Sequence, residues 1–223
     1  MLKKPVIIIL IAIGLIVLAF WSPWSNLNFS LLNIFGISSV EKFATLKVKS
    51  LAGEIEVLID GEYQDSVKSE SDFLELTQIN PGEHLIVLQR KGMDYQVTRK
   101  INFEHGVDVV IAYEIGPTQE FSEGHILYTR KSFASEANTL IEIFSTPEHI
   151  KVFLDGVLIG ETPLKDLDLD ISGKHKLRFE KTGYDSMEIE VLPETQEERN
   201  KLKNLLINLE VSLFTRPVRV VTQ

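Results

Sequence analysis

The chain of 223 residues contains no cysteine, so it forms no disulfide, holds no thiolate zinc site and offers no thiol nucleophile. It also lacks an excess of positive charge, with 23 Lys and Arg against 32 Asp and Glu and a net charge of −9. Binding to a phosphate backbone needs clustered cations, so nucleic acid is excluded as a partner. Tryptophan is scarce, and both copies, Trp21 and Trp24, stand near the N-terminus. Gly-rich phosphate loops, nucleophile elbows and paired catalytic acids are missing. The five histidines, 84, 105, 125, 149 and 175, never fall at the spacing of a metal-ligand pair. The expectation is a non-enzyme with no cofactor and no catalytic, cofactor-binding or metal-binding residues.

What is present begins with "PVIIILIAIGLIVLAFW", residues 5–21, free of charge and apolar on every side. Seventeen helical residues rise about 25 Å, close to the hydrocarbon thickness of a bilayer. Lys3 and Lys4 precede the run, and Trp21 and Trp24 stand where interfacial aromatics belong. Residues 1–21 thus read as a cytoplasmic tip and a transmembrane helix. The bilayer is the partner of residues 5–21, and the C-terminal part lies outside the cytoplasm. A cleaved signal peptide is the competing reading, but "LAFWSPWS" places Phe20 and Trp21 where cleavage wants small residues. Residues 22–42 read as an apolar juxtamembrane stalk, since charge returns only at Glu41.

From residue 43 the pattern changes to period two. "TLKVK", "EIEVLID", "HIKVFLD" and "HKLRFE" alternate apolar with polar residues between Gly, Pro and Asp, the mark of half-buried antiparallel strands in a sandwich or barrel. The pattern also repeats. "EVLIDGEY" aligns with "KVFLDGVL", and "GEHLIVLQRKG" with "GKHKLRFEKTG". The fold class expected is all-β: an N-terminal transmembrane helix, then two tandem small β-sandwich domains, 43–116 and 139–214. Residues 117–138 link them, with room for a strand at "HILYTR", and 215–223 form a tail.

The second copy carries Pro147-Glu148, Asp155-Gly156, "GETPL" at 160–164, Gly173-Lys174-His175 and Gly183-Tyr184. In these features it resembles a PEGA domain, departing where His149-Ile150 stand in place of the family's Gly-Ala. The first copy is similar but degenerate: it keeps Asp60-Gly61, Pro81-Gly82 and His84 and lacks Thr-Pro-Leu. The resemblance implies a small β-sandwich found in envelope or membrane-attached proteins, with no catalytic residues to transfer.

Asp-Gly at 60–61 and 155–156 predicts type I′ hairpins, for which Asn serves at the first position as well as Asp. Asp166, Asp168 and Asp170 suggest calcium, but Ile171 and Leu177 stand where an EF-hand loop needs Gly and Glu. Alternation instead turns Leu167, Leu169 and Ile171 inward and the aspartates outward, with a weak calcium contact as the alternative. His84 and His175 are expected to hydrogen-bond within their turns, and Tyr95 and Tyr184 to pack in a core or interface, with sugar stacking as the alternative. "LPET" at 192–195 lacks the glycine and apolar tail of a sortase signal, and "PETQEERNKLKN" reads as a polar loop or short helix. The functional expectation is a membrane-anchored, extracytoplasmic, non-catalytic interaction or scaffold protein. It would meet an envelope component or a membrane protein; the alternative is an envelope protein with a carbohydrate or peptide pocket.

Overall fold

The computed structural model describes residues 43–68, 72–131 and 139–216. The segment expected to cross the membrane, the stalk that follows it and most of the tail lie outside these residues. Among the described residues no helix is long and apolar enough to cross a membrane.

Among the described residues the fold is all-β, with three sheets and one short α-helix. The first repeat supplies seven strands: β1 (Ala44–Ala52), β2 (Ile55–Ile59), β3 (Glu62–Val67), β4 (Phe73–Ile79), β5 (Gly82–Gln89), β6 (Gln96–Phe103) and β7 (Asp108–Glu114). The joining segment carries β8 (Glu123–Lys131). The second repeat supplies seven strands in the same order: β9 (Thr139–Thr146), β10 (Lys151–Leu154), β11 (Val157–Glu161), β12 (Leu164–Leu169), β13 (Lys176–Glu180), β14 (Met187–Glu190) and β15 (Leu205–Ser212). Helix α1 (Gln196–Lys201) precedes the last strand, capped by the Thr195 hydroxyl, which accepts from the Glu198 amide.

Each repeat folds four strands into a small sheet, β3-β2-β5-β6 or β11-β10-β13-β14. The other strands join one seven-stranded sheet in the order β12-β9-β15-β8-β7-β1-β4. Most pairs are antiparallel as the alternation predicts, but β1 with β7 and β9 with β15 run parallel. The first and last strands of each repeat start at the same end of the sheet, and the small sheet is the crossover between them.

Strand β8 sits between β7 and β15 and belongs to both halves. Its alternation sends Ile126 and Tyr128 to one face, against Ile111 and Val109, and Leu127 to the other, against Leu209. Ile126 is buried in the core of the first repeat with Leu46, Val57, Leu88 and Phe103. Leu127 packs on the core of the second, around Ile143, Val152, Leu177 and Phe179. The two small sheets therefore cover opposite faces of the shared sheet.

Contacts across this junction reinforce it. Tyr113 on β7 and Ser212 on β15 share a buried hydroxyl–hydroxyl bond of 2.7 Å. Arg99 Nε on β6 donates to Glu210 on β15 at 3.1 Å.

Candidate functional site

The residues singled out in the sequence resolve into two constructions, a pair of turn latches and a groove. Both central residues of each Asp-Gly turn have positive φ, 52° and 83° at Asp60 and Gly61, 50° and 84° at Asp155 and Gly156, as a type I′ hairpin requires. The aspartates do more than turn the chain. Asp155 Oδ1 accepts from the Lys176 amide at 3.0 Å and Oδ2 meets His175 Nδ1 at 2.6 Å. Asp60 repeats this with the Leu85 amide at 2.9 Å and His84 Nδ1 at 2.6 Å. The Asp-Gly and Gly-x-His motifs are thus two halves of one latch between neighbouring hairpins. The aspartate that looked like turn chemistry alone is also an acceptor for the next strand.

The latches differ at the second ring nitrogen. His84 Nε2 lies 2.8 Å from the Asn80 carbonyl, so the ring faces an acceptor at each nitrogen, an arrangement that favours its doubly protonated form. Burial opposes that charge, but the bonds to Asp60 and Asn80 outweigh it and raise the pKa. Asp60 is held below the usual carboxylate range by the Leu85 amide and by His84. In the second repeat the corresponding carbonyl, that of Ile171, is taken by Gln196 and by Arg199 Nε at 3.2 Å. Among the described residues His175 Nε2 is buried without a partner.

The remaining motif residues are architectural. Buried Thr162 receives the Ile150 amide on its hydroxyl at 3.0 Å and donates its own amide to the Ile150 carbonyl at 2.9 Å, pinning the "PEHI" loop. His149 sits at φ 58°, in the left-handed region that favours glycine. Asp166, Asp168 and Asp170 are exposed while Leu167, Leu169 and Ile171 turn inward. Asp170 accepts from Ser172, and among the described residues no group of three His, Asp or Glu converges as a metal site. Tyr95 packs on the first core and Tyr184 on the second.

The groove was not visible in the sequence. It has a volume of about 770 Å³ and lies where the core face of the second repeat continues past its covering sheet onto the open face of β1 and β7. Val110, His125, Leu127 and Ile207 form its floor, and Val191, Leu192 and α1 form a wall. His125 is half-buried, and among the described residues its ring has no hydrogen-bond partner. Burial alone pushes its pKa down to about 4, so the imidazole is neutral at ordinary pH. The only advance signal was His125 standing inside a strand that runs on as the apolar "ILY". On the opposite face the corresponding outer positions are Asn208 and Glu210, and there Arg99 and Arg130 reach across to Glu210 and Glu142.

No curated protein matches the chain. Residues 139–207, the second repeat from β9 into β15, match the PEGA domain. With the Asp-Gly turn, the Thr162 pin and the His175 latch all inside that span, the second half of this chain contains a PEGA domain.

Proposed function

We propose that this protein is a membrane-anchored, extracytoplasmic, non-catalytic scaffold, with a transmembrane helix over 5–21 followed by two tandem β-sandwich modules fused through β8. The observation that carries the reading is a matched pair of exposed apolar hairpin tips. Tyr63 and Leu158 occupy the same position after their Asp-Gly turns and are 59% and 53% exposed; Val157 beside Leu158 is 66% exposed. Tyr63 pairs with Leu58, and Leu158 with Phe153, over whose ring Arg178 lies at 4.3 Å.

Val57 and Val152 point into the cores, so their neighbours Leu58 and Phe153 lie on the outer faces of the small sheets. Because the small sheets cover opposite faces of the shared sheet, the two patches point away from each other. A rigid body with two like patches on opposite sides suits bridging of envelope components. The charge-free run at 5–21 after Lys3 and Lys4 supports an anchor with its C-terminal modules outside.

The test is retention of solubilised envelope components on the immobilised full-length protein. Tyr63→Lys and Leu158→Lys should each weaken retention, and together abolish it. Undiminished retention by the double variant overturns the bridging role. A reporter active only outside the cytoplasm, fused after Gln223, should be active; silence there refutes the orientation.

A further inference from the structure

The groove over β1, β7 and β8 offers a binding site that the scaffold reading does not use, and its chemistry restricts the ligand. Its floor is the face of a continuous sheet, where the backbone amides and carbonyls are committed to the β1–β7, β7–β8 and β8–β15 ladders. An extended peptide therefore finds no free main-chain edge to extend, and recognition falls to side chains. Those available are the neutral imidazole of His125 and the hydroxyls of Thr45, Thr77 and Thr129. All are short groups that donate or accept without charge.

The rim carries both signs, Lys47 and Lys201 against Asp108, Glu190 and Glu198. Lys47 is already engaged, 2.9 Å from Asp108 and 3.7 Å from Glu75. With two cations and three carboxylates the rim carries one net negative charge, which repels an anionic ligand, attracts a polycation only weakly and costs a neutral ligand nothing. Phe43 stands 42% exposed among the lining residues, an aromatic face suited to a sugar ring. On the floor, a half-buried ring with one donor and one acceptor unspent lies two residues along β8 from Leu127 and diagonal to Val110, Leu127's partner on β7. The group that complements this juxtaposition has an N–H, a carbonyl and a methyl within a few ångströms of one another, which describes an acetamido substituent.

We infer that this groove binds a neutral oligosaccharide bearing acetamido groups, with His125 pairing the amide, the apolar floor taking the methyl and Phe43 stacking on a ring. The assignment is independent of the hairpin tips and of membrane attachment. Its volume, about 770 Å³, lies within the range of small-ligand pockets.

The experiment is equilibrium dialysis of the full-length protein in nanodiscs, free of glycosidic detergent, against labelled chitotetraose, cellotetraose and tetra-alanine. Chitotetraose should bind saturably, and cellotetraose, lacking the amides, about tenfold more weakly, as the loss of roughly 1.4 kcal/mol of amide pairing gives. His125→Phe should weaken chitotetraose binding by about the same factor. Phe43→Ala, at an exposed position that does not threaten folding, should weaken both sugars together. Tyr63→Lys should leave binding unchanged, which separates this site from the proposed scaffold surface. The inference is overturned if chitotetraose is not retained, if the two sugars bind equally, if tetra-alanine binds better than either, or if neither groove variant changes binding. Should His125→Phe fail to fold, the Phe43→Ala result and the sugar ratio decide alone.

Discussion

Replacing Gly156 by valine tests whether the Asp-Gly turn is architecture. A Cβ added at Gly156 meets nothing within 4 Å, so the cost is purely conformational. At φ 84° an L-residue is in left-handed territory, and a β-branched one is strained by about 2–3 kcal/mol. Stiffening of the unfolded chain returns about 1 kcal/mol, leaving a net loss of about 1–2 kcal/mol. For a chain of 223 residues that lowers the melting temperature by about 2–8 °C.

The neighbouring substitution, Asp155→Asn, keeps the turn because Asn tolerates positive φ, and its amide oxygen still accepts from Lys176. It surrenders the charge and the second acceptor opposite His175, in a pair whose aspartate is about half exposed, so the cost stays at about 1 kcal/mol or below. Gly173 provides the control: its φ is not positive and its added Cβ also meets open space. Gly173→Ala should therefore melt at or above the parent temperature. Thermal denaturation followed by circular dichroism should rank Gly156→Val lowest, Asp155→Asn between and Gly173→Ala at the top. The reasoning is refuted if Gly156→Val melts with the parent, or if Asp155→Asn is the more damaging of the two.

Other consequences follow from the same geometry. His149→Gly relieves a non-glycine residue at φ 58° and should raise stability by about 0.5–1 kcal/mol, measured by urea denaturation. Tyr113→Phe removes the buried bond to Ser212 between the repeats and should cost about 1 kcal/mol without altering the circular dichroism spectrum. The histidines should oppose one another in acid. The raised pKa of His84 gives stability that is complete below about pH 6.5, the unfolded value, and fades as pH rises through the folded one. His125, depressed to about 4, binds its proton first in the unfolded state, so stability falls as pH drops from about 6.5 towards 4. Denaturation at stepped pH should accordingly show His84→Gln losing its deficit as pH rises, and His125→Gln resisting acid better than the parent.

The parts of this fold that depend on short-range chemistry were legible in the sequence. Alternation located the strands, Asp-Gly marked both hairpins, and the outward aspartates of β12 followed from period two. What the sequence concealed depends on closure between distant segments. Nothing in "TLKVK" says that β1 will lie parallel to β7, because the pairing is set only after the small sheet has folded across. The latch between Asp155 and His175 was missed for the same reason: its halves stand 20 residues apart and meet only when β10 pairs with β13.

Strand β8 is the instructive case, since one signal was present. "HILY" is apolar on both faces, whereas a strand exposed on one side alternates; a run of this kind implies cover on each side. That cover is the two repeats themselves, and it makes a last prediction. Two independent modules on a string unfold in two steps, but here Ile126 and Leu127 anchor separate cores from adjacent positions. Losing either half strips one face and one ladder from β8, so the halves should melt as a single cooperative unit. Ile126 is 1% exposed, and Ile126→Ala should cost about 2–5 kcal/mol. In calorimetry the variant should still give one transition, displaced downward as a whole, with Tyr95 and Tyr184 fluorescence changing together. A variant that melts in two steps, the second at the parent temperature, would show that β8 is a linker between independent domains after all.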